Sequence, residues 1–203
     1  MPHKLKTSAR KSRRNKKIGI VTGVALLAIL VIAAVYVFGR SSPASIPVVQ
    51  GKVLLETSMG NITIQLRDDK PITSSNFKAL VQQGKYDGTI FHRVVEGFMI
   101  QGGSINESIA SIPDEIGSEN HNVKGTIAMA NAGSNTATSE FFINVVDNSN
   151  RYAEFDTSYT VFGTVIDGMD VAEAISHVQV DDPGSQSPKP LQDVSIIRAV
   201  ILP

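Results

Sequence analysis

The chain has 203 residues, of which 42% are hydrophobic, and it contains no cysteine. This length suffices for one domain with a hydrophobic core and hardly for two. The lack of cysteine excludes disulfide bonds and thiolate chemistry, and the 19 basic and 19 acidic residues give a formal net charge of zero.

The zero net charge conceals a steep asymmetry along the chain. Residues 1–17 hold eight lysines and arginines and no acid, and the first acidic residue is Glu56. From Ser41 onward there are ten basic and nineteen acidic residues. This acidic body argues against nucleic acid as a partner, because binding to phosphates needs Lys and Arg. The basic tail alone fits either a nucleic-acid or nuclear-targeting patch or the cytoplasmic flank of a membrane segment.

An uncharged segment of 21 residues, 18–38, follows the basic tail. As a helix it spans roughly 30 Å, the thickness of a bilayer's hydrocarbon core. We therefore expect one transmembrane signal-anchor helix at 18–38 with a cytoplasmic tail at 1–17. The protein is then a single-pass protein of the cell membrane with an extracytoplasmic domain. A cleaved signal peptide, whose apolar region usually has about 7 to 15 residues, and a buried helix of a soluble protein are the alternatives.

Residues 39–50 are rich in serine and proline and are predicted to form a linker to a folded domain at 51–203. The first predicted element of this domain is a β-hairpin. Its strands, 53–57 and 62–66, contain alternating apolar and polar residues, and a turn sequence lies between them.

The rest of the domain is predicted to form short strands and two helices. One helix is predicted at 74–83, with Thr73 or Ser74 as its N-cap and Gly84 at its end. A second helix is predicted at 169–175. The predicted strands are 89–94, 98–101, 125–130, 140–145, 161–165 and 194–201. Many short strands with two helices are typical of a closed or sandwiched antiparallel sheet.

Three separated blocks carry the candidate chemistry. The first, residues 91–103 (FHRVVEGFMIQGG), sets one arginine and one glutamine among aromatics, a methionine and three glycines. The second comprises TIAMANAGSN at 126–135 and EFFI at 140–143, and the third is FDTSYTVFG at 155–163. A cation and an amide among aromatic residues indicate a surface pocket that binds an apolar group and places one positive charge against it.

In this order the blocks resemble the signatures of the cyclophilin-type peptidyl-prolyl isomerases, from Gly51 to the end of the chain. The resemblance implies a mainly β fold: a closed eight-stranded antiparallel β-barrel capped by two α-helices, here preceded by the transmembrane helix. It implies an enzyme that accelerates X–Pro isomerisation in proteins near the membrane surface. Proline-containing polypeptides are the expected partners, the catalytic domain is expected to be monomeric, and no metal, nucleotide or other cofactor is implied.

The resemblance also assigns roles within the blocks. Arg93 is the expected catalytic residue, because a guanidinium aimed at the prolyl nitrogen stabilises the twisted amide selectively. Such a hydrogen bond contributes about 1.5 to 3 kcal/mol, whereas a thousandfold acceleration needs roughly 4 kcal/mol. A pocket must therefore also hold the proline ring. The expected substrate-binding residues are His92, Phe98, Met99, Gln101, Ala130, Asn131, Glu140, Phe142, Phe155 and Tyr159.

Two departures from the family pattern leave an alternative open. Glu140 stands where the family has glutamine, and we expect it to pair with Arg93 and lower the activity. Ser104 replaces an aspartate, and residues 105–112 replace a Gly-rich run, which affects the subsite upstream of proline. The alternative function is a proline-peptide binding or holdase module with little turnover. His92, His121 and His177 do not have the spacing of metal ligands.

Overall fold

The computed structural model describes residues 51–152 and 154–203. All of them belong to one compact unit, Pro47–Pro203. The predicted basic tail (1–17), transmembrane helix (18–38) and linker (39–50) lie outside the described residues. Within the described ranges, no helix is long and apolar enough to cross a membrane.

The unit is mainly β, with eight strands and three helices among the described residues. The strands are β1 (Lys52–Thr57), β2 (Gly60–Leu66), β3 (Arg93–Val95), β4 (Met99–Gly102), β5 (Thr126–Met129), β6 (Phe141–Asn144), β7 (Val161–Asp167) and β8 (Ile196–Leu202). The helices are α1 (Pro71–Gln82), α2 (Phe155–Ser158) and α3 (Met169–Ser176). All neighbouring strands are antiparallel, in the order β3-β4-β6-β5-β7-β2-β1-β8.

The predicted hairpin is confirmed as β1 and β2. Leu55 pairs with Ile62 and Val53 with Ile64, and all four side chains are fully buried. The turn is closed by Thr57, whose hydroxyl donates to the carbonyl oxygen of Gly60 at 2.6 Å. The alternation of apolar and polar residues in the sequence therefore correctly indicated one buried face, as expected for a sheet covered on one side.

The prediction of a closed barrel is wrong, because the strands form an antiparallel half-barrel with β3 and β8 at its edges. Just before β3, Ile90 bridges Ser195, and main-chain hydrogen bonds join Gly88, Thr89 and Phe91 to Val194 and Ile196. Strand β3 has three residues, and the N–H of Val94 donates to the carbonyl oxygen of Pro188, in a loop, at 3.0 Å. Since that loop occupies the outer edge of β3, no ladder forms with β8.

The core lies between the sheet and helices α1 and α3, and α3 contributes Ala172 and Ile175 to it. The apolar residues that α1 buries are Phe77, Leu80 and Val81. The ring of Phe77 lies 5.0 Å from that of Phe162 and 5.6 Å from that of Phe141. Aromatic pairs at these separations add to the free energy of burial, by roughly 0.5 to 1.5 kcal/mol each.

Helix α1 begins three residues earlier than predicted. Pro71 occupies its first turn and no side chain of the helix itself caps it, so the predicted caps Thr73 and Ser74 lie inside the helix. The carboxylate of Glu115 instead accepts hydrogen bonds from the N–H groups of Ile72 and Thr73, at 3.1 and 2.7 Å. A residue distant in sequence thus satisfies the free N–H groups at this terminus.

The other helix predictions have mixed outcomes. Helix α1 ends at Gln82 and Gly84 adopts a φ of +67°, so Gly84 ends the helix as predicted. Helix α3 matches the predicted second helix within a residue at its C-terminus. Helix α2 was not predicted, since a four-residue helix is too short to show a helical period.

Candidate active site

The strand register gathers residues of all three sequence blocks into one row. Arg93 on β3 lies opposite Gln101 on β4, which lies opposite Phe142 on β6. The row continues through Ala128 on β5 to Val161 on β7. Residues directly opposite one another share a face of the sheet, so this face carries the arginine, the amide and an apolar floor. The adjacent row, which includes Ile100 and Ile143, points into the core instead.

A pocket of about 140 Å³ opens on this face. It is lined by nine of the eleven predicted site residues: Arg93, Phe98, Met99, Gln101, Ala130, Asn131, Phe142, Phe155 and Tyr159. His92 and Glu140, the other two, do not line it and lie behind Gln101. The pocket is well below the usual size for drug-like ligands and suits one small ring.

The floor and the rim of the pocket differ in burial. Met99 and Phe142 form the floor and are 1% and 4% exposed. The rim consists of half-buried aromatics, among which the ring of Phe155 lies 5.4 Å from Phe98 and 5.0 Å from Tyr159. Helix α2 carries Phe155, so the element that was not predicted supplies this side of the rim. The result is a cup that is apolar at its base and has a phenol at its edge.

The guanidinium of Arg93 is held by hydrogen bonds to two acceptors and keeps further N–H groups for a ligand. Its Nε donates to the main-chain carbonyl of Gln186 at 2.8 Å, and its Nη1 donates to Oε1 of Gln101 at 3.1 Å. Its Cζ lies 5.8 Å from the centre of the Phe98 ring, a cation–π contact. Arginine has five N–H donors, so three have no partner within the described chain. Burial lowers the pKa of Arg93, but the group stays cationic.

Glu140 does not form the expected ion pair with Arg93. Its Oε2 accepts a hydrogen bond from Nε2 of Gln101 at 2.8 Å and lies 3.4 Å from Nε2 of His92. Hydrogen bonding from His92, then from Gln101 and Ser104, lowers the pKa of Glu140 to about 2 against the opposing effect of burial. A direct pair, the basis for the expected loss of activity, is therefore absent, and Glu140 acts on Arg93 through Gln101.

The environment of His92 fits a hydrogen-bonding partner of Glu140. Because a carboxylate can only accept, Nε2 of His92 must carry the proton shared with Glu140. Its Nδ1 is buried and has no hydrogen-bond partner in the described part of the chain. His121 and His177 likewise lie near single carboxylates, Asp156 at 3.1 Å and Glu96 at 3.4 Å. Within the described ranges no cluster of three such side chains could hold a metal.

Beside the pocket, Asn131 has a main-chain N–H and C=O that make no hydrogen bond within the described residues. Its side chain is anchored, since Nδ2 donates to the carbonyl of Ser158 at 2.7 Å and Oδ1 accepts from the N–H of Gly133 at 3.2 Å. An extended peptide can pair with the main-chain groups, as strands pair at a sheet edge.

Two glycines that close the first block are required by packing. A Cβ on Gly102 would lie 2.8 Å from the carbonyl oxygen of Ile90. At Gly103 the φ is +74°, and a Cβ would lie 2.7 Å from the ring of Phe141. These glycines therefore let β4 pass close to the core, and they have no direct part in binding.

Buried asparagines that the sequence reasoning missed hold the pocket rim in place. Asn148 donates from Nδ2 to the carbonyl of Phe98 at 3.0 Å, and Asn122 donates to that of Phe155 at 3.1 Å. Both are fully buried, as is Asn144, whose amide bridges them at 2.7 and 3.2 Å. The sequence holds one indication of this network, because Asn144 ends the otherwise apolar strand β6. A buried amide almost always has hydrogen-bond partners, so Asn144 predicts other polar groups nearby.

Comparisons with known proteins agree with this geometry. The family model for "Cyclophilin type peptidyl-prolyl cis-trans isomerase/CLD" matches residues 52–201. Peptidyl-prolyl cis-trans isomerase A of Dickeya dadantii is 41% identical over 170 residues, covering 79% of this chain and 90% of that protein. Peptidyl-prolyl cis-trans isomerase B of Escherichia coli is 39% identical, covering 71% of this chain and 95% of that protein.

Solved structures give the same assignment. A cyclophilin-type isomerase of Cryptosporidium parvum superposes with a TM-score of 0.67 at 29% identity, covering 76% of this chain and 98% of that one. The same type of isomerase, crystallised in the presence of the dipeptide Ala-Pro, gives a TM-score of 0.65 at 30% identity, with coverages of 76% and 99%. The chain belongs to the cyclophilin family and is a cyclophilin-type peptidyl-prolyl cis-trans isomerase.

Proposed function

We propose that this isomerase stabilises the twisted X–Pro amide with the guanidinium of Arg93 while the apolar pocket holds the proline ring. The observation that carries the proposal is the division of the Arg93 donors. Two donate to Gln186 and Gln101, and the other three, beside the pocket, have no acceptor in the described part of the chain.

The chemistry follows from the loss of amide resonance. An X–Pro bond rotates over a barrier of about 18 to 20 kcal/mol, and at the twisted geometry the prolyl nitrogen regains a lone pair. The planar ground state offers no such acceptor, so an N–H of Arg93 binds the transition state more strongly than the substrate. The half-buried position of the guanidinium strengthens this contact, because little water competes with it.

The remaining stabilisation is assigned to the pocket. The hydrogen bond from Arg93 supplies about 1.5 to 3 kcal/mol, less than a thousandfold acceleration requires. The ring held over Met99 and Phe142 is fixed, while the chain upstream of proline rotates. Gln101 keeps one N–H free for a substrate carbonyl, because its amide carries two and one is bound to Glu140. Asn131 pairs with the residue before proline.

The substrates are proline-containing polypeptides. The size of the pocket and the free main chain of Asn131 support an extended peptide whose proline ring enters the cup. The related Cryptosporidium protein was crystallised in the presence of Ala-Pro, and we extend that ligand class to this chain as part of the proposal.

We place this activity at the outer face of the cell membrane. The support comes from the sequence: eight basic residues in 1–17, followed by an uncharged segment at 18–38 and a Ser/Pro-rich linker at 39–50. Under the positive-inside rule this arrangement keeps the amino terminus in the cytoplasm. The isomerase then acts on polypeptides that fold after crossing the membrane.

The test is exchange NMR spectroscopy on a peptide with one Ala-Pro bond in the presence of the full chain. The proposal predicts cis–trans exchange faster than the tens to hundreds of seconds of the free peptide, at substoichiometric protein. Peptide binding without faster exchange would instead identify a binding or holdase module. Absence of both would refute the proposed substrate class.

A further inference from the structure

The loop at residues 181–190, between α3 and β8, contacts the catalytic arginine. The main-chain carbonyl of Gln186 accepts a hydrogen bond from Nε of Arg93 at 2.8 Å. The contact joins residues 93 positions apart in sequence. The sequence (DDPGSQSPKP) indicates only an irregular segment rich in Pro, Gly and Ser. A carbonyl acceptor at this place requires that the loop hold one conformation.

Asp181 closes the base of this loop. Its Oδ1 accepts hydrogen bonds from the N–H groups of Lys189 and Asp182, both at 2.8 Å. Its own N–H donates to the carbonyl of Lys189 at 2.9 Å. The two bonds with Lys189 join the two ends of the loop across eight positions, beside a main-chain bridge between Val180 and Pro190. The bonds to Oδ1 also lower the pKa of the Asp181 carboxyl, so the group is ionised, and a strong acceptor, at neutral pH.

A second fixed point lies on the other side of Gln186. Pro188 is buried, and its carbonyl accepts from the N–H of Val94 at 3.0 Å. Gln186 therefore lies between the start of the loop, held by Asp181, and a residue bound to β3. Since Val94 directly follows Arg93, the same loop holds both the strand and the side chain of the arginine.

We propose that Asp181 is a positioning residue for isomerisation, acting through the carbonyl of Gln186 on the guanidinium of Arg93. This rests on the proposed role of Arg93. A guanidinium is planar, so acceptors at Nε and Nη1 together fix both its plane and its rotation about the Cδ–Nε bond. With the Nε acceptor displaced, Gln101 is the one hydrogen-bond acceptor left to the group among the described residues, beside the weaker cation–π contact with Phe98. The remaining donors then sample orientations that miss the prolyl nitrogen.

The variants Asp181→Ala and Asp181→Asn separate this role from a general effect. In the full chain, Asp181→Ala should lower kcat about three- to tenfold, the loss expected for one hydrogen bond, with the affinity for an Ala-Pro peptide unchanged because the pocket is intact. Asp181→Asn keeps an oxygen at the acceptor position and should restore most of kcat. Asp193→Ala, an exposed acid beyond the loop, is the matched control and should behave as wild type.

The Nε–H signal of Arg93 in ¹H–¹⁵N spectra provides a readout that does not depend on activity. It should be protected from solvent exchange in wild type and in Asp181→Asn, and exposed in Asp181→Ala. Asp181 is itself exposed, so solvent screening keeps its contribution to stability small and the thermal midpoint should stay near that of wild type. Wild-type kcat in Asp181→Ala, or a reduced kcat with the Nε–H still protected, would overturn the proposal. An inactive wild type with the predicted Nε–H pattern would refute the role of Arg93 and retain the loop contact.

Discussion

Arg93 and Glu140 together determine which way the amide of Gln101 faces. Because a carboxylate accepts and never donates, Gln101 must turn its NH₂ group towards Glu140 and its oxygen towards Arg93. A guanidinium donates and never accepts, so Arg93 imposes the same orientation from the other side. The hydrogen bonds from Arg93 through Gln101 to Glu140 therefore run in a single direction.

The low pKa of Glu140 gives a stability prediction with a defined sign. The carboxyl has a pKa of about 2 in the folded protein instead of 4.5, so its ionised form stabilises the fold. This contribution is complete above pH 4.5 and is lost as the pH falls towards 2. Glu140→Gln should therefore have a lower thermal midpoint than wild type at pH 7, and the difference should shrink below pH 4. A difference that stays constant down to pH 2 would contradict the assignment.

The site residues could be predicted to different degrees from the sequence. One short motif contains Arg93, Phe98 and Gln101, so these residues could be predicted together. The register between β3 and β4 places Arg93 opposite Gln101. The partner of Glu140 could not be predicted, because Arg93, Gln101 and His92 all lie close enough in the sequence pattern to bind the carboxylate. Only the folded geometry shows that Gln101 and His92 do so. The contact of Gln186 with Arg93 could not be predicted either. It uses the main-chain carbonyl, which every residue type has, so the sequence does not indicate it.

At the level of elements, the cap of helix α1 links this helix to the rim of the pocket. Besides its carboxylate bonds to the helix, Glu115 donates its main-chain N–H to the hydroxyl of Thr160 at 2.9 Å. Thr160 directly follows Tyr159, which lines the pocket. The segment around Glu115 thus bridges the start of α1 and the third sequence block.

Replacing this cap should destabilise the fold without abolishing binding. Glu115→Ala leaves the N–H groups of Ile72 and Thr73 without their acceptor, which costs roughly 0.5 to 2 kcal/mol of unfolding free energy. Chemical denaturation measures this directly, and the affinity for an Ala-Pro peptide should change little. Glu119→Ala, an exposed acid four residues away, should be neutral. Equal stability of the two variants would show that Glu115 is not the cap.

Local sequence pattern predicted the strands and helices better than it predicted their ends. Alternation at 53–57 and 62–66 identified β1 and β2, because one face of that hairpin is buried. The start of α1 was misplaced, since Thr73 resembles a local cap while the true one lies 42 positions away. The open edge between β3 and β8 also depends on a distant residue, Pro188, which no local pattern indicates.

At the scale of the whole molecule, the isomerase unit and the amino-terminal segment are expected to be separable. Pro47–Pro203 forms a compact unit with its own core. A chain shortened to 47–203 should fold, remain monomeric and accelerate Ala-Pro exchange as the full chain does. Size-exclusion chromatography and exchange NMR test this, and an unfolded or inactive fragment would contradict it.

The same truncation tests the proposed location. In fractionated cells the full chain should sediment with membranes and resist extraction by salt, because about 20 apolar residues span a bilayer. The 47–203 fragment should not sediment. Protease added outside intact spheroplasts should digest the isomerase unit of the full chain. Protection of that unit would place it in the cytoplasm and refute the proposed topology.

The central claim, that Arg93 stabilises the twisted amide more than the bound substrate, is tested most directly by Arg93→Ala. We expect kcat for Ala-Pro exchange to fall about 10- to 150-fold, as for the loss of one charge-assisted hydrogen bond. The dissociation constant of the peptide should change less than about threefold, since the ring pocket remains. Arg198→Ala, on the exposed face of β8, should match wild type. An unchanged kcat in Arg93→Ala, or a loss confined to peptide affinity, would contradict the account.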